Sequence, residues 1–235
     1  MKVHGIVDWV RCFFHLIFPE ICMACGNHLF EGEEFLCTDC RMTLPYTHDQ
    51  FQKEAPIEKV FYGRVRIKEA SAYLIFSKKS LVQKILHSIK YKGHEEFGEF
   101  MGRLHAHQLS YSDKFQHIEL CVPVPLHPKK IKIRGYNQSE AIARGMVEVL
   151  KIPLDKNTLL RSKHTESQTR KSRFSRYENM SEVFQISNIQ AIENKHVLLV
   201  DDVITTGSTI ESCAMVLLDN GARAVSVACI AFARD

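Results

Sequence analysis

Two adjacent carboxylates and a short run of small, hydroxylated residues stand together late in the chain: Asp201 and Asp202, then Val203, Ile204, Thr205, Thr206, Gly207, Ser208 and Thr209. Their chemistries suit different parts of one ligand. Amides of a small-residue loop, aided by the dipole of a following helix and the hydroxyls of Thr205, Thr206, Ser208 and Thr209, can enclose a phosphate dianion. Gly207 lets the backbone come close to it. The carboxylates would repel that phosphate if they faced it, so they are expected to accept hydrogen bonds from vicinal ribose hydroxyls nearby. A sugar phosphate meets both demands. An incidental acidic pair on an ordinary strand-loop-helix, or a metal site, are the competing readings. No Gly-Lys-Ser/Thr follows a glycine-rich turn and no Gly-x-Gly-x-x-Gly follows a strand, so the common nucleotide loops do not fit.

A second constellation lies near the N-terminus. Of eight cysteines, Cys22, Cys25, Cys37 and Cys40 form two Cys-x2-Cys knuckles separated by eleven residues. Two such knuckles close a tetrahedral site with no open position, so a bound Zn²⁺ would be structural, and its ligation would supply folding free energy that so small a segment lacks. Disulfides, a redox pair and an iron-sulfur cluster are the alternatives. Cys12, Cys121, Cys213 and Cys229 sit among apolar neighbours and read as small buried hydrophobes.

Cations gather in two stretches. The segment 126–138 reads as a loop and carries Lys129, Lys130, Lys132 and Arg134 before Gly135, Asn137 and Gln138. Arg134 and the amides near Gly135 suit a pyrophosphate group, whereas the three lysines read as a solvated face. The polar stretch 160–179 includes Lys171 and Arg176. A stretch of this kind suits a cover that brings cations over a diphosphate and excludes water.

These residues need a scaffold. His196–Val200 is an apolar run suited to a central parallel strand. From residue 118 onward strands and helices alternate: strand 118–124, helix 139–150, strand 197–200, helix 208–220, strand 224–232. That order implies an α/β fold with a parallel sheet flanked by helices, in which ligands bind at the C-terminal ends of strands. Upstream, 59–66 and 69–76 read as β-rich, 81–89 and 97–109 as helices, and 90–93 as a loop. Residues 45–56 read as a linker, dividing the chain into 1–48 and 57–235.

With 45% hydrophobic and 25% charged residues among 235, and a net charge of +4, the chain has an ordinary globular balance, which excludes wholesale disorder and gives no bulk signature of nucleic-acid binding. Asp8, Arg11 and His15 interrupt the apolar N-terminal segment, excluding a membrane span of the usual ~20 residues. That segment reads as an amphipathic helix carrying Trp9, packed on the body of the protein or touching a membrane or partner. A cytoplasmic protein is expected.

At 196–209 the chain resembles the type I phosphoribosyltransferases, whose signature is four apolar residues, two acids, two apolar residues and a Thr/Gly-rich phosphate loop. Over nearly its whole length it resembles the ComF family. The likeness rests on the paired knuckles, Val122-Pro-Val-Pro125, Arg134-Gly-Tyr-Asn-Gln138, Thr165-x-x-Gln168, Arg176-x-x-Asn179 with Phe184, and the acidic-pair loop. That resemblance implies a type I phosphoribosyltransferase-like core behind a double zinc ribbon. It implies phosphoribosyl pyrophosphate bound with Mg²⁺, with Arg134, Lys171 and Arg176 stabilising the departing pyrophosphate. It further implies a role in natural competence at the inner face of the cytoplasmic membrane, with single-stranded DNA and a competence helicase as partners. Three readings stay open: a transferase of unknown acceptor, a non-catalytic factor that senses phosphoribosyl pyrophosphate or binds DNA, and a protein-protein adaptor acting through the zinc module and the Trp9 helix.

Overall fold

The computed structural model describes residues 20–91, 94–161 and 184–233. Their elements run α1 (Thr38–Thr43), β1 (Ala70–Phe76), α2 (Leu81–Tyr91), α3 (Glu95–Ser110), β2 (Leu120–Pro123), α4 (Pro128–Arg134) and α5 (Gln138–Leu150). They continue as β3 (Leu159–Arg161), β4 (Phe184–Ile186), β5 (His196–Ile204), α6 (Ser208–Asp219) and β6 (Ala224–Ala233). The expected N-terminal helix, with Trp9 and Cys12, lies outside the described residues.

Four strands form a parallel sheet in the order β1-β6-β5-β2. Its central strands are apolar on both faces because helices cover both. Along β5, Leu198 and Val200 enter one core with Ile85, Phe97, Met101, Ile142 and Met146 of α2, α3 and α5. Val197 and Leu199 enter the other with Ile210, Cys213 and Leu217 of α6. Cys121, Cys213 and Cys229 are fully buried and unbridged, as small hydrophobes are.

Glycines set the approach of α3 to α5. A Cβ on Gly145 would collide with the Glu99 carbonyl oxygen, and one on Gly102 with that of Ile142. The two helices therefore meet backbone to backbone. This fixes the start of α5, which reaches the C-terminal edge of the sheet.

The structure departs from the sequence-based expectations in four places. Residues 59–66 are not a strand: a 3-10 turn spans Glu58–Phe61, and the N–H groups of Arg64 and Val65 donate to the Phe61 carbonyl. Burial of Ile57 and Phe61 holds this turn against the α6 face. The segment 126–138 is not wholly loop, because it contains α4. There the His127 ring accepts from the Lys129 N–H, Pro128 occupies the first turn and Gly135 closes the helix at φ 86°. Helix α2 continues through Lys90 rather than ending before it. Residues 45–49 are no detached linker: the Pro45 carbonyl accepts from Ile75 N–H, Thr47 N–H donates to the Tyr73 carbonyl, and Asp49 accepts from Ala72 N–H.

Candidate functional site

Strand β5 runs four residues past its contact with β2. The β2 pairing ends at Pro123 opposite Val200, whereas β5 stays paired with β6 as far as Ile204 opposite Phe232. Asp201 and Asp202 lie in this overhang, inside the strand rather than just beyond it, where the departure of β2 opens the sheet. Successive strand residues point to opposite sides, so the two carboxylates straddle the strand.

Asp201 Oδ1 accepts from Ser139 Oγ at 2.8 Å and from the Asp202 N–H at 2.9 Å. Burial, followed by the negative charge of Asp202, pushes its carboxyl up to about 7. Asp202, 8% exposed, meets Lys90 Nζ through Oδ2 at 3.1 Å. Asn137 caps α5 by accepting from the Ser139 N–H, and its Nδ2 donates to the Val124 carbonyl at 3.0 Å. The end of β2 and the start of α5 are thereby locked together beside the acidic pair. Next to them Gln138 is 1% exposed, and its Nε2 is a buried donor with no hydrogen-bond partner.

The loop Thr205–Thr209 turns around a cavity of about 40 Å³ lined by Asp201 and residues 203–210. Gly207 holds φ 74°, and a Cβ there would stand 2.6 Å from Val60 Cγ1 and 3.0 Å from Phe61 Cε1. Glycine is thus required twice, by conformation and by packing. Helix α6 begins at Ser208, so its first free amides point at the cavity.

Arg64, which sequence reasoning did not single out, braces this loop. Its Nη1 donates to the carbonyls of Thr206 at 2.7 Å and Val60 at 3.1 Å, and its Nη2 pairs with Glu211 in the first turn of α6. No sequence pattern links position 64 to 206. The tie exists only because the 58–61 turn packs under Gly207.

The structure brings Asp201, Asp202, Thr205, Thr206, Gly207, Ser208 and Thr209 into one place. Arg134 is the half-buried last residue of α4, and its charge acts on the buried Tyr136 hydroxyl, two residues on. Lys171 and Arg176 lie outside the described residues, as do Thr165, Gln168 and Asn179. The segment that carries them runs between β3 and β4, which pair antiparallel with Arg161 opposite Phe184.

The four knuckle cysteines converge, with all sulfurs within 4.8 Å of one another. Cys25 Sγ and Cys37 Sγ are 3.8 Å apart, matching the ~3.8 Å edge of a tetrahedron whose metal-sulfur bonds are ~2.3 Å long. Backbone N–H groups of Asn27, Cys37 and Cys40 point at Sγ of Cys25, Cys22 and Cys37. These donors favour thiolates, so the residues present fit a metal. A wider cavity of about 590 Å³ lies between the first knuckle and α2, bordered by Lys79, Lys84 and His87. It shares no residue with the acidic-pair site.

Residues 137–235 match the phosphoribosyl transferase domain family, a span opening at Asn137 and containing β5, its acidic pair and the Thr/Gly loop. The C-terminal part of the chain is thus a phosphoribosyltransferase-type domain. The whole chain is similar to the DNA utilization protein YhgH of Escherichia coli K12, with 27% identity over 92% of this chain and 98% of that one. Competence protein ComFC of Bacillus subtilis is 28% identical over 97% of this chain and 90% of its own. Competence protein F of Haemophilus influenzae is 34% identical over 46% of this chain and 48% of its own. The chain is a homologue of these competence and DNA utilization proteins. No described helix is long and apolar enough to cross a membrane.

Proposed function

We propose that the end of β5 binds phosphoribosyl pyrophosphate together with Mg²⁺, and that the protein serves DNA uptake or utilization, as the names of its relatives denote. One observation carries the reading: a loop that must contain glycine turns around a small cavity lined by the Asp201 carboxylate, with Asp202 the next residue of the strand, at a sheet opening. The cavity's amides and hydroxyls suit the 5-phosphate, and the carboxylates suit the ribose hydroxyls. Mg²⁺, held chiefly by ligand and water oxygens, would neutralise diphosphate charge. Arg134 of α4, with Lys171 and Arg176, is proposed to act on the same diphosphate. Gln138 Nε2 is a further donor available to the ligand. The cysteine cluster is proposed to hold structural zinc, and the protein to work at the inner face of the cytoplasmic membrane.

Calorimetric titration with phosphoribosyl pyrophosphate and Mg²⁺ tests this. The wild type should bind, and Asp201→Asn with Asp202→Asn should weaken binding by about a hundredfold or more at pH 8, where Asp201 is ionised, since each charged acceptor contributes ~1.5–3 kcal/mol. Equal affinity would refute the assignment. Product analysis against a panel of nucleobases then separates an enzyme from a sensor.

A second reading draws on α4, which exposes Lys129, Lys130 and Lys132 together with Ile133, 78% exposed. Single-stranded DNA would find phosphate contacts there. Such binding should fall steeply with salt, whereas binding in the ribose-phosphate cavity should stay selective for its ligand.

A further inference from the structure

We infer that Lys90, delivered by α2 from outside the strand-loop signature, is the residue that makes this site prefer a ribose carrying a C1 diphosphate over ribose 5-phosphate. The inference rests on the ribose-phosphate reading above and adds a determinant which that reading does not contain.

Lys90 Nζ lies 3.1 Å from Asp202 Oδ2, with the lysine side chain 21% and the aspartate 11% exposed. The last turn of α2 is held there, because the Tyr136 hydroxyl, itself buried, donates to the Ile89 carbonyl. This bond ties Lys90 to the segment that also carries Arg134. An ammonium is thus fastened against one of the two acceptors that the sugar requires. Ammonium and hydroxyl donors compete for the same carboxylate lone pairs. Sugar binding therefore displaces Lys90 from Asp202 unless the ligand gives the ammonium a new partner.

The ligand's stereochemistry decides whether it does. In phosphoribosyl pyrophosphate the diphosphate leaves C1 on the same face of the furanose as the 2- and 3-hydroxyls. A cation beside the carboxylate that grips those hydroxyls consequently stands beside the phosphate attached to C1. The flexible four-carbon stem lets the ammonium turn from Asp202 to a phosphate oxygen. Charge stays paired throughout: Lys90 exchanges a carboxylate for a phosphate, while Asp202 takes hydroxyl donors. Ribose 5-phosphate offers only a neutral hydroxyl at C1, a weaker partner than a carboxylate, so Lys90 stays on Asp202 and competes with the sugar hydroxyls. One side chain thus favours the diphosphate and opposes the sugar monophosphate.

The test is calorimetric titration of the full chain with phosphoribosyl pyrophosphate plus Mg²⁺ and, separately, with ribose 5-phosphate, for wild type, Lys90→Met and Lys90→Arg. Lys90→Met should lose about tenfold or more in affinity for the diphosphate, the scale of one charge-assisted contact, while holding or gaining affinity for ribose 5-phosphate. Lys90→Arg should restore most of the preference. An unchanged ratio of the two affinities in Lys90→Met, or equal loss of both, overturns the role given to Lys90 while leaving the ribose-phosphate reading intact. A wild type that binds neither ligand overturns both. If Lys90→Met fails to fold, as thermal melting would show, Lys90→Gln decides by the same ratio.

Discussion

Replacing Asp201 by Asn should stabilise the ligand-free protein while destroying its site. Both hydrogen bonds to Asp201, from Ser139 Oγ and from the Asp202 N–H, arrive at Oδ1, which asparagine retains. What disappears is a buried charge beside a second carboxylate. The carboxyl titrates near 7 when folded against an ordinary 3.8, so its protonated form is the one the fold prefers. Below about 3.8 the group is protonated in both folded and unfolded chains and contributes no difference. Between about 4 and 7 only the unfolded chain ionises freely, so stability falls as pH rises, and above about 7 the full cost is present. Those limits place the cost at ~4 kcal/mol at most, and solvent and relaxation reduce it to roughly half. The variant should therefore melt ~4–8 °C above wild type at pH 8, at ~2–4 °C per kcal/mol for a chain of this size. Near pH 4 the two should melt together. Differential scanning calorimetry across pH 4 to 8 reads this directly. A variant no more stable than wild type at pH 8, or a gap of the same size at both ends, would refute the reasoning.

Other perturbations have equally definite outcomes. Gly145→Ala should cost about 3 kcal/mol or more in urea unfolding, because its methyl group meets the Glu99 backbone with no flexible neighbour to yield; a loss below about 1 kcal/mol would contradict the close helix crossing. Gly207→Ala should lower the melting temperature, through left-handed strain of ~1–2 kcal/mol and the clash with Val60, and weaken phosphoribosyl pyrophosphate binding; unchanged binding would detach the loop from the site. Arg64→Met leaves the buried Glu211 without its cation and should destabilise by ~1–3 kcal/mol, with a neutral result contradicting the brace. Stripping metal with a strong chelator should lower the melting temperature of the whole chain, since Cys22, Leu36 and Leu44 share a core with Tyr73 and Phe97; an unmoved transition would refute a structural metal.

The parts of the site legible in the sequence were those built from contiguous residues. An apolar run and a Thr/Gly loop specify strand and turn by local rules, and two Cys-x2-Cys knuckles specify a converging cluster, whereas the overhang that holds the two acids depends on where β2 ends. What escaped depends on tertiary packing. Val60, Phe61 and Tyr62 are strand-favouring residue types, yet Val60 and Phe61 pack in the α6-side core under Gly207, which positions Arg64. Lys90 looked like the start of a loop because the helical periodicity fades there, whereas the structure carries the last turn of α2 to Asp202. Helix α4 could have been found: Pro128 at its start and Gly135 at its end are ordinary helix signals, masked by the density of lysines between them. The small residues that let α3 and α5 touch do recur at helical spacing, Gly98 with Gly102 and Ala141 with Gly145, yet which helix each pair meets becomes known only once both helices are placed.

The most direct measurement is the structure of a crystal soaked in phosphoribosyl pyrophosphate and Mg²⁺. The 5-phosphate should lie within the turn formed by Thr205–Thr209, with the 2- and 3-hydroxyls on Asp201 and Asp202. Ligand density at any other place, with that turn closed by its own side chains, would contradict the account.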